Sequence, residues 1–91
     1  MSSINFTNRD IEIITMALID NCICSHLNRH EYNLAYDIIE RLYERTSISK
    51  DDLTLICNFL RRYAIKYEYA LLEISECKRV YEMILEDCIY E

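Results

Sequence analysis

Apolar residues recur along most of the chain in steps of three or four, the spacing that gathers them on one face of an α-helix. The stripe is clearest in the second quarter of the chain, where charged residues fill the positions between its members. Those members are Ala35, Ile38, Ile39, Leu42 and Tyr43. The pattern predicts helices over about residues 8–26, 29–46, 50–73 and 76–90.

Short polar side chains mark the starts of the first three predicted helices. Thr7, Asn28 and Ser49 each precede an apolar periodic segment, and each is followed three residues later by an acidic residue. A Thr, Asn or Ser side chain at this position accepts a hydrogen bond from a free backbone amide. The acid in the first turn interacts favourably with the helix dipole.

The apolar stripe of the C-terminal half continues without a change of phase. Its members are Leu53, Ile56, Leu60, Tyr63, Tyr67, Ala70, Ile74, Cys77, Tyr81, Ile84 and Cys88. A turn between two helices normally carries a Gly or Asn, and only Ser75 is a modest helix breaker here. Two interpretations stay open: one continuous helix of roughly 40 residues, or two helices divided within 72–76.

The first predicted helix is apolar around most of its circumference. One stripe consists of Ile11, Ile14, Leu18 and Cys22. A second set lies on other sides of the helix and consists of Ile13, Met16, Ile19 and Ile23. A chain this short buries only roughly 60–65% of its unfolded surface. We therefore expect a homo-oligomer, preferably a dimer, in which a second copy covers the second set. The alternative is a monomer with this helix at its centre.

Composition favours an all-α fold, a small bundle of three to four helices in one domain over residues 1–91. The chain is 52% hydrophobic and contains no Gly and no Pro, whereas β-hairpins depend on such turn residues. Its five cysteines, an odd number, fit a reducing compartment. No apolar stretch reaches the ~18–20 residues of a membrane span. We therefore expect a cytoplasmic protein that does not enter the membrane.

Charge is unevenly distributed. The whole chain carries a net −6, which disfavours direct binding of nucleic acid, yet residues 41–66 hold six basic and three acidic side chains, a net +3. Arg61, Arg62 and Lys66 belong to this region and, with Tyr69 just beyond it, form our candidate partner- or ligand-binding site. Such a group can contact a protein or clamp a phosphate. The alternative is a solvated helix face beside tyrosines of the core.

Cys22, His26 and His30 are spaced four residues apart, which on one continuous helix would bring three zinc ligands to the same side. A structural zinc site needs a fourth ligand, and a helix end near Asn28 would separate His30 from the other two. We therefore expect no metal and no cofactor, with the two histidines flanking a turn.

No catalytic arrangement is recognisable, because the chain lacks a Gly-rich phosphate loop and no spacing places a nucleophile beside a base. We expect a non-enzymatic, acidic helical interaction protein, a self-associating regulator or inhibitor that binds a protein partner. One alternative is an oligomeric binder of a nucleotide or another phosphorylated small molecule. Another is an acidic mimic of nucleic acid, whose C-terminal carboxylates would be Glu82, Glu86, Asp87 and Glu91. The Ile-, Tyr- and Asn-rich composition is typical of AT-rich genomes, such as those that encode phage or viral accessory proteins.

Overall fold

The structure is a computed structural model that describes residues 6–24, 27–66 and 71–86. Within these residues the chain forms four α-helices and no strand, which confirms the all-α prediction. The bundle measures 34 × 30 × 23 Å, with a Cα radius of gyration of 12.3 Å. The helices are α1 (Asn8–Cys24), α2 (Arg29–Glu44), α3 (Lys50–Lys66) and α4 (Leu71–Ile84).

Helix α1 lies at the centre of the bundle, because it packs against each of the other three helices. Helix α3 also packs against α4. The core lies between the helices and includes Ile14, Leu18, Ile38, Ile56, Leu60 and Val80, all fully buried. A helix surrounded in this way needs apolar residues on more than one side, which largely explains why α1 is apolar around most of its circumference.

Helices α1 and α3 begin with the same reciprocal capping arrangement. The Asp10 amide donates to the Thr7 hydroxyl at 3.1 Å, and the Thr7 amide donates to the Asp10 carboxylate at 2.9 Å. Ser49 and Asp52 repeat this pair at 3.1 and 3.0 Å. Each pair satisfies two backbone donors that a helix start would otherwise leave free.

Helix α2 is capped at both ends. The Asn28 side chain accepts a hydrogen bond at 2.8 Å from the amide three residues later. At the other end Arg45 adopts a left-handed conformation with φ 59°, and its amide donates to Leu42 O at 3.3 Å. The Thr46 amide donates to Arg41 O at 3.0 Å. This pair of bonds is a Schellman motif, so the helix ends before the predicted residue 46.

The described residues of the C-terminal half form two helices that pack against each other. One straight helix across 50–90 could not make such contacts, since its halves would point away from each other. The division also lies earlier than predicted: residues 72–76 are inside α4, and α3 ends at Lys66. Residues 67–70 lie outside the described part of the chain. None of the described helices combines the length and apolar character needed to cross a lipid bilayer.

Candidate interaction surfaces

Three of the four side chains predicted for a self-association surface are at least partly exposed. Met16 is 40% exposed, Ile23 is 75% exposed and Ile19 is half-buried. Ile13 is only 1% exposed, because it shares a side of α1 with Asp10 and the fully buried Ala17. We correct the expectation for Ile13: the single chain already covers it.

The exposed apolar surface of α1 continues onto α2, where it is formed by half-exposed tyrosines. Tyr36 lies close enough to Cys22 of α1 for the two groups to interact electrostatically. Ile19 precedes Cys22 by three residues and Ile23 by four, so it adjoins both on the surface of α1. The rings of Tyr32 and Tyr36 contact each other with centroids 4.9 Å apart. We call this surface the α1–α2 face. It comprises Met16, Ile19, Ile23, Tyr32, Tyr36 and Tyr43.

Exposed apolar side chains are concentrated on the α1–α2 face. Six large hydrophobic side chains are exposed among the described residues, and five of them belong to this face; the sixth is Ile65 of α3. A shallow groove of about 230 Å³ extends the face between α1 and α2, lined by Asn8, Ile11, Glu12, Tyr43 and Arg45. Exposed carboxylates of Glu40 and Glu44 lie on the outer side of α2.

Two titratable groups at the α1–α2 face, the Cys22 thiol and the Tyr36 hydroxyl, have pKa values above their ordinary ones. Burial raises the pKa of the Cys22 thiol, which keeps it protonated and weakly nucleophilic. The side-chain hydrogen bond with Tyr32, followed by their electrostatic interaction, raises the pKa of the Tyr36 hydroxyl. The members of the face are aliphatic side chains and tyrosines, so the face is mainly apolar with hydroxyl groups at its surface, which suits contact with another protein.

A buried asparagine joins α1 to α3. The Asn21 side-chain amide donates to Ala17 O at 2.7 Å and to Phe59 O at 3.2 Å. Nearby, the Lys66 ammonium pairs with the Asp20 carboxylate at 3.2 Å. These contacts fix the C-terminal half of α1 against α3 and leave Ile23 on the opposite, solvent-facing side.

The capping aspartate of α1 is also tied to α4. Arg79 donates to the buried Asp10 carboxylate at 2.6 Å. Burial alone would raise the pKa of Asp10, but the hydrogen bonds from the Thr7 backbone and from Arg79 outweigh it, so the pKa lies below its usual value. Arg9 forms a two-pronged pair with Glu76 of α4, with one bond of 2.6 Å.

The capping aspartate of α3 is tied to α2 in the same way. Arg41 donates to the Asp52 carboxylate at 2.6 Å and pairs with Asp37 on its own helix at 2.8 Å. Burial again opposes ionisation of Asp52, and the hydrogen bonds from Arg41 and the Ser49 backbone overcome it, so its pKa is lowered. Arg41 therefore binds two carboxylates, Asp37 on its own helix and Asp52 on α3.

The predicted basic site is only partly assembled. Lys66 is engaged by Asp20, while Arg61 and Arg62 are exposed and approach no carboxylate of the described residues. Tyr69 lies outside the described residues. Arg61 and Arg62 form a compact patch with two exposed neighbours, because residues three and four apart adjoin on a helix. We call this patch the α3 basic face; it comprises Asn58, Arg61, Arg62 and Ile65.

The other candidate sites do not assemble among the described residues. No group of three His, Cys, Asp or Glu side chains there lies close enough to hold a metal ion. Cys22 and His30 belong to different helices, and His26 is not described. The exposed acids Glu82 of α4 and Glu86, two residues after the end of α4, share an open groove with Lys78 and Arg79, so the acidic surface is mixed with cations. Asp87 and Glu91 lie outside the described residues.

Sequence reasoning missed the side chains that connect the helices. Asn21, Arg41, Arg45 and Arg79 reach partners on other helices or on the segment before α1, and no local spacing identifies such partners. Arg45 donates to the Phe6 carbonyl and, at 2.7 Å, to the Asn8 side chain. The one local signal was Asn21, a polar residue within the mainly apolar C-terminal half of α1. No protein family, curated protein or solved structure to which we compared the chain matches it.

Proposed function

We propose that this protein is a non-enzymatic interaction protein that associates with itself through the α1–α2 face and binds a protein partner as a regulator or inhibitor. The observation that supports this proposal is that, among the residues whose burial is described, five of the six exposed large apolar side chains lie on that one face. Scattered exposed apolar residues are normal on a monomer, but a contiguous group marks an interaction site.

The size of the α1–α2 face is compatible with a dimer. Its five exposed members would each present ~200 Å² if fully exposed, and they are 40–75% exposed. Together they present on the order of 500 Å² of mainly apolar surface, against ~800 Å² per partner in a standard interface. The remainder would come from the polar rim, as in most interfaces between proteins.

The arrangement of the basic residues favours an interaction protein over a binder of a nucleotide. Lys66 is neutralised by Asp20, and neighbouring positions such as Arg61 and Arg62 point about 100° apart on a helix. The three cations therefore do not converge on one phosphate. An acidic mimic of nucleic acid is less well supported, because Lys78 and Arg79 interrupt the acidic residues of α4.

Light scattering coupled to size-exclusion chromatography tests self-association. The wild-type chain is expected to elute with twice the 11.0 kDa mass of one chain. Ile23→Glu places a charge on the α1–α2 face and is expected to weaken association at least tenfold, about 1.4 kcal/mol. A far-UV circular dichroism spectrum confirms that the variant is folded.

Ile65→Glu is the matched control. Ile65 is 66% exposed and occupies the next-to-last position of α3, as Ile23 does in α1. We expect this variant to keep the wild-type mass. A wild-type chain that stays monomeric at millimolar concentration, or a dimer that both substitutions weaken equally, would refute the role of the α1–α2 face.

A further inference from the structure

We infer that the α3 basic face binds an acidic, amphipathic segment of a partner protein, with an apolar side chain of the partner seated on Ile65. This inference builds on the proposed role as an interaction protein and assigns the partner's chemistry. The face is separate from the surface proposed for self-association, so the same molecule could engage both.

The guanidinium groups of the α3 basic face are available for a partner. Four other arginines, Arg9, Arg41, Arg45 and Arg79, are held by acceptors within the chain. Arg61 and Arg62 are exposed and have no carboxylate partner among the described residues. Because a guanidinium can bind a carboxylate through two parallel hydrogen bonds, adjacent arginines suit an acidic segment.

Two further features of the α3 basic face favour binding: the Arg62 side chain is held in place before binding, and Ile65 offers an exposed apolar contact. The Arg62 guanidinium lies 5.7 Å from the ring centroid of Phe59, whose side chain is buried in the core. This contact restricts the Arg62 side chain before binding and so lowers the entropy lost on complex formation. Ile65 is next to both arginines on the helix surface and is 66% exposed.

The negative charge of the rest of the molecule leaves the α3 basic face as the surface that attracts an acidic partner. The whole chain carries a net −6, and residues 1–40 alone hold six acidic and two basic side chains. An acidic segment is therefore repelled by most of the surface and attracted to the α3 basic face. A nucleic acid would gain from neutralising only two phosphates while facing the same repulsion, so a protein segment is the better match.

Fluorescence anisotropy with three labelled probes tests the inference. The first probe is a 14-residue helical peptide with leucines on one face and glutamates elsewhere. The second has glutamine in place of every glutamate, and the third is a single-stranded oligothymidylate of equal length. We expect saturable binding of the glutamate peptide with a Kd below ~1 mM, and binding at least about fivefold weaker for the glutamine peptide.

Variants then locate the binding site. Arg61→Gln combined with Arg62→Gln is expected to weaken binding of the glutamate peptide at least about tenfold. The control combines Arg29→Gln with Lys78→Gln, which removes the same charge from two exposed positions on α2 and α4 and is expected to change the Kd less than about twofold. Ile65→Ala is expected to weaken binding about threefold through loss of the apolar contact.

Three results would overturn the inference. They are the absence of saturable binding of the glutamate peptide to the wild-type chain, an equal loss of binding in the two double variants, and tighter binding of the oligonucleotide than of the peptide. The outcome is independent of self-association, because Ile23→Glu is expected to leave peptide binding unchanged, and the Arg61/Arg62 double variant is expected to leave the solution mass unchanged.

Discussion

At the scale of single residues, adjacent aspartates in α3 have very different roles. Asp52 is buried, caps the helix and binds Arg41 at 2.6 Å, whereas Asp51 is exposed. We predict that Asp52→Asn lowers the free energy of unfolding by about 1–3 kcal/mol, because Arg41 and the Ser49 amide lose a charged acceptor. Asp51→Asn, with the same chemistry one position earlier, should cost less than about 1 kcal/mol. Urea unfolding followed by circular dichroism measures both.

Both capping aspartates make folding stability depend on pH in the same direction. The pKa of Asp10 and of Asp52 is lower in the folded chain than the ordinary value of 3.8. A lowered folded-state pKa stabilises the fold above the unfolded-state pKa, and this contribution disappears as the pH falls through the folded-state pKa.

We therefore predict that the wild-type chain is more stable than the Asp10→Asn/Asp52→Asn double variant at neutral pH, and that the difference narrows from about pH 4 downwards. Urea unfolding at a series of pH values measures this difference. A gap that stays constant down to about pH 2 would mean that the ionised carboxylates contribute nothing to stability.

At the scale of secondary-structure elements, the central position of α1 explains which of its apolar residues are buried. Ile13 faces the bundle and is 1% exposed, whereas Met16, less than one turn later, is 40% exposed. We predict that Ile13→Ala lowers the free energy of unfolding by about 2–4 kcal/mol through loss of buried surface and creation of a cavity. Met16→Ala should cost less than about 1 kcal/mol. Similar losses for the two, measured by thermal or urea unfolding, would contradict this orientation of α1.

The sequence predicts the starts of these elements better than their orientation. Thr7 and Ser49 are local signals, since a cap and its acid lie three residues apart. The buried side of α1 depends on three other helices, and a helix that is apolar all round has no single phase that would distinguish Ile13 from Ile23. The sequence left open whether one helix or two follow residue 50, and placed a division within 72–76 instead of before Leu71, because the apolar spacing continues through this region with no Gly, Pro or Asn.

The candidate surfaces were recognisable from the sequence only in part. Met16, Ile19 and Ile23 could be assigned to a surface because they exceed what one stripe can bury. The contribution of Tyr32 and Tyr36 depends on how α2 packs beside α1, and the capture of Lys66 by Asp20 joins residues 46 positions apart. Contacts at such separations are set by tertiary packing. The sequence could therefore place the basic site on α3, but it could not show that Lys66 is engaged elsewhere and that Arg61 and Arg62 form the exposed part of the site.

At the scale of the whole molecule, the two proposed surfaces should respond to salt in opposite directions. Association of two chains that each carry −6 brings like charges together, including the carboxylates of Glu40 and Glu44 beside the α1–α2 face. Raising the salt concentration from about 0.1 to 1 M shortens the screening length from roughly 10 to 3 Å. We predict that self-association strengthens, while binding of the glutamate peptide to the α3 basic face weakens.

Two charge-matched double variants test whether the repulsion between associating chains comes from carboxylates beside the α1–α2 face. Glu40→Gln/Glu44→Gln removes two charges beside the α1–α2 face and should strengthen self-association at low salt while reducing its salt dependence. Glu82→Gln/Glu86→Gln removes the same charge, also at positions four residues apart, from exposed sites in and just after the last turn of α4, and should have the smaller effect. Sedimentation equilibrium at both salt concentrations measures this difference. Equal effects of the two variants would mean that net charge alone, and not charge beside the α1–α2 face, opposes association.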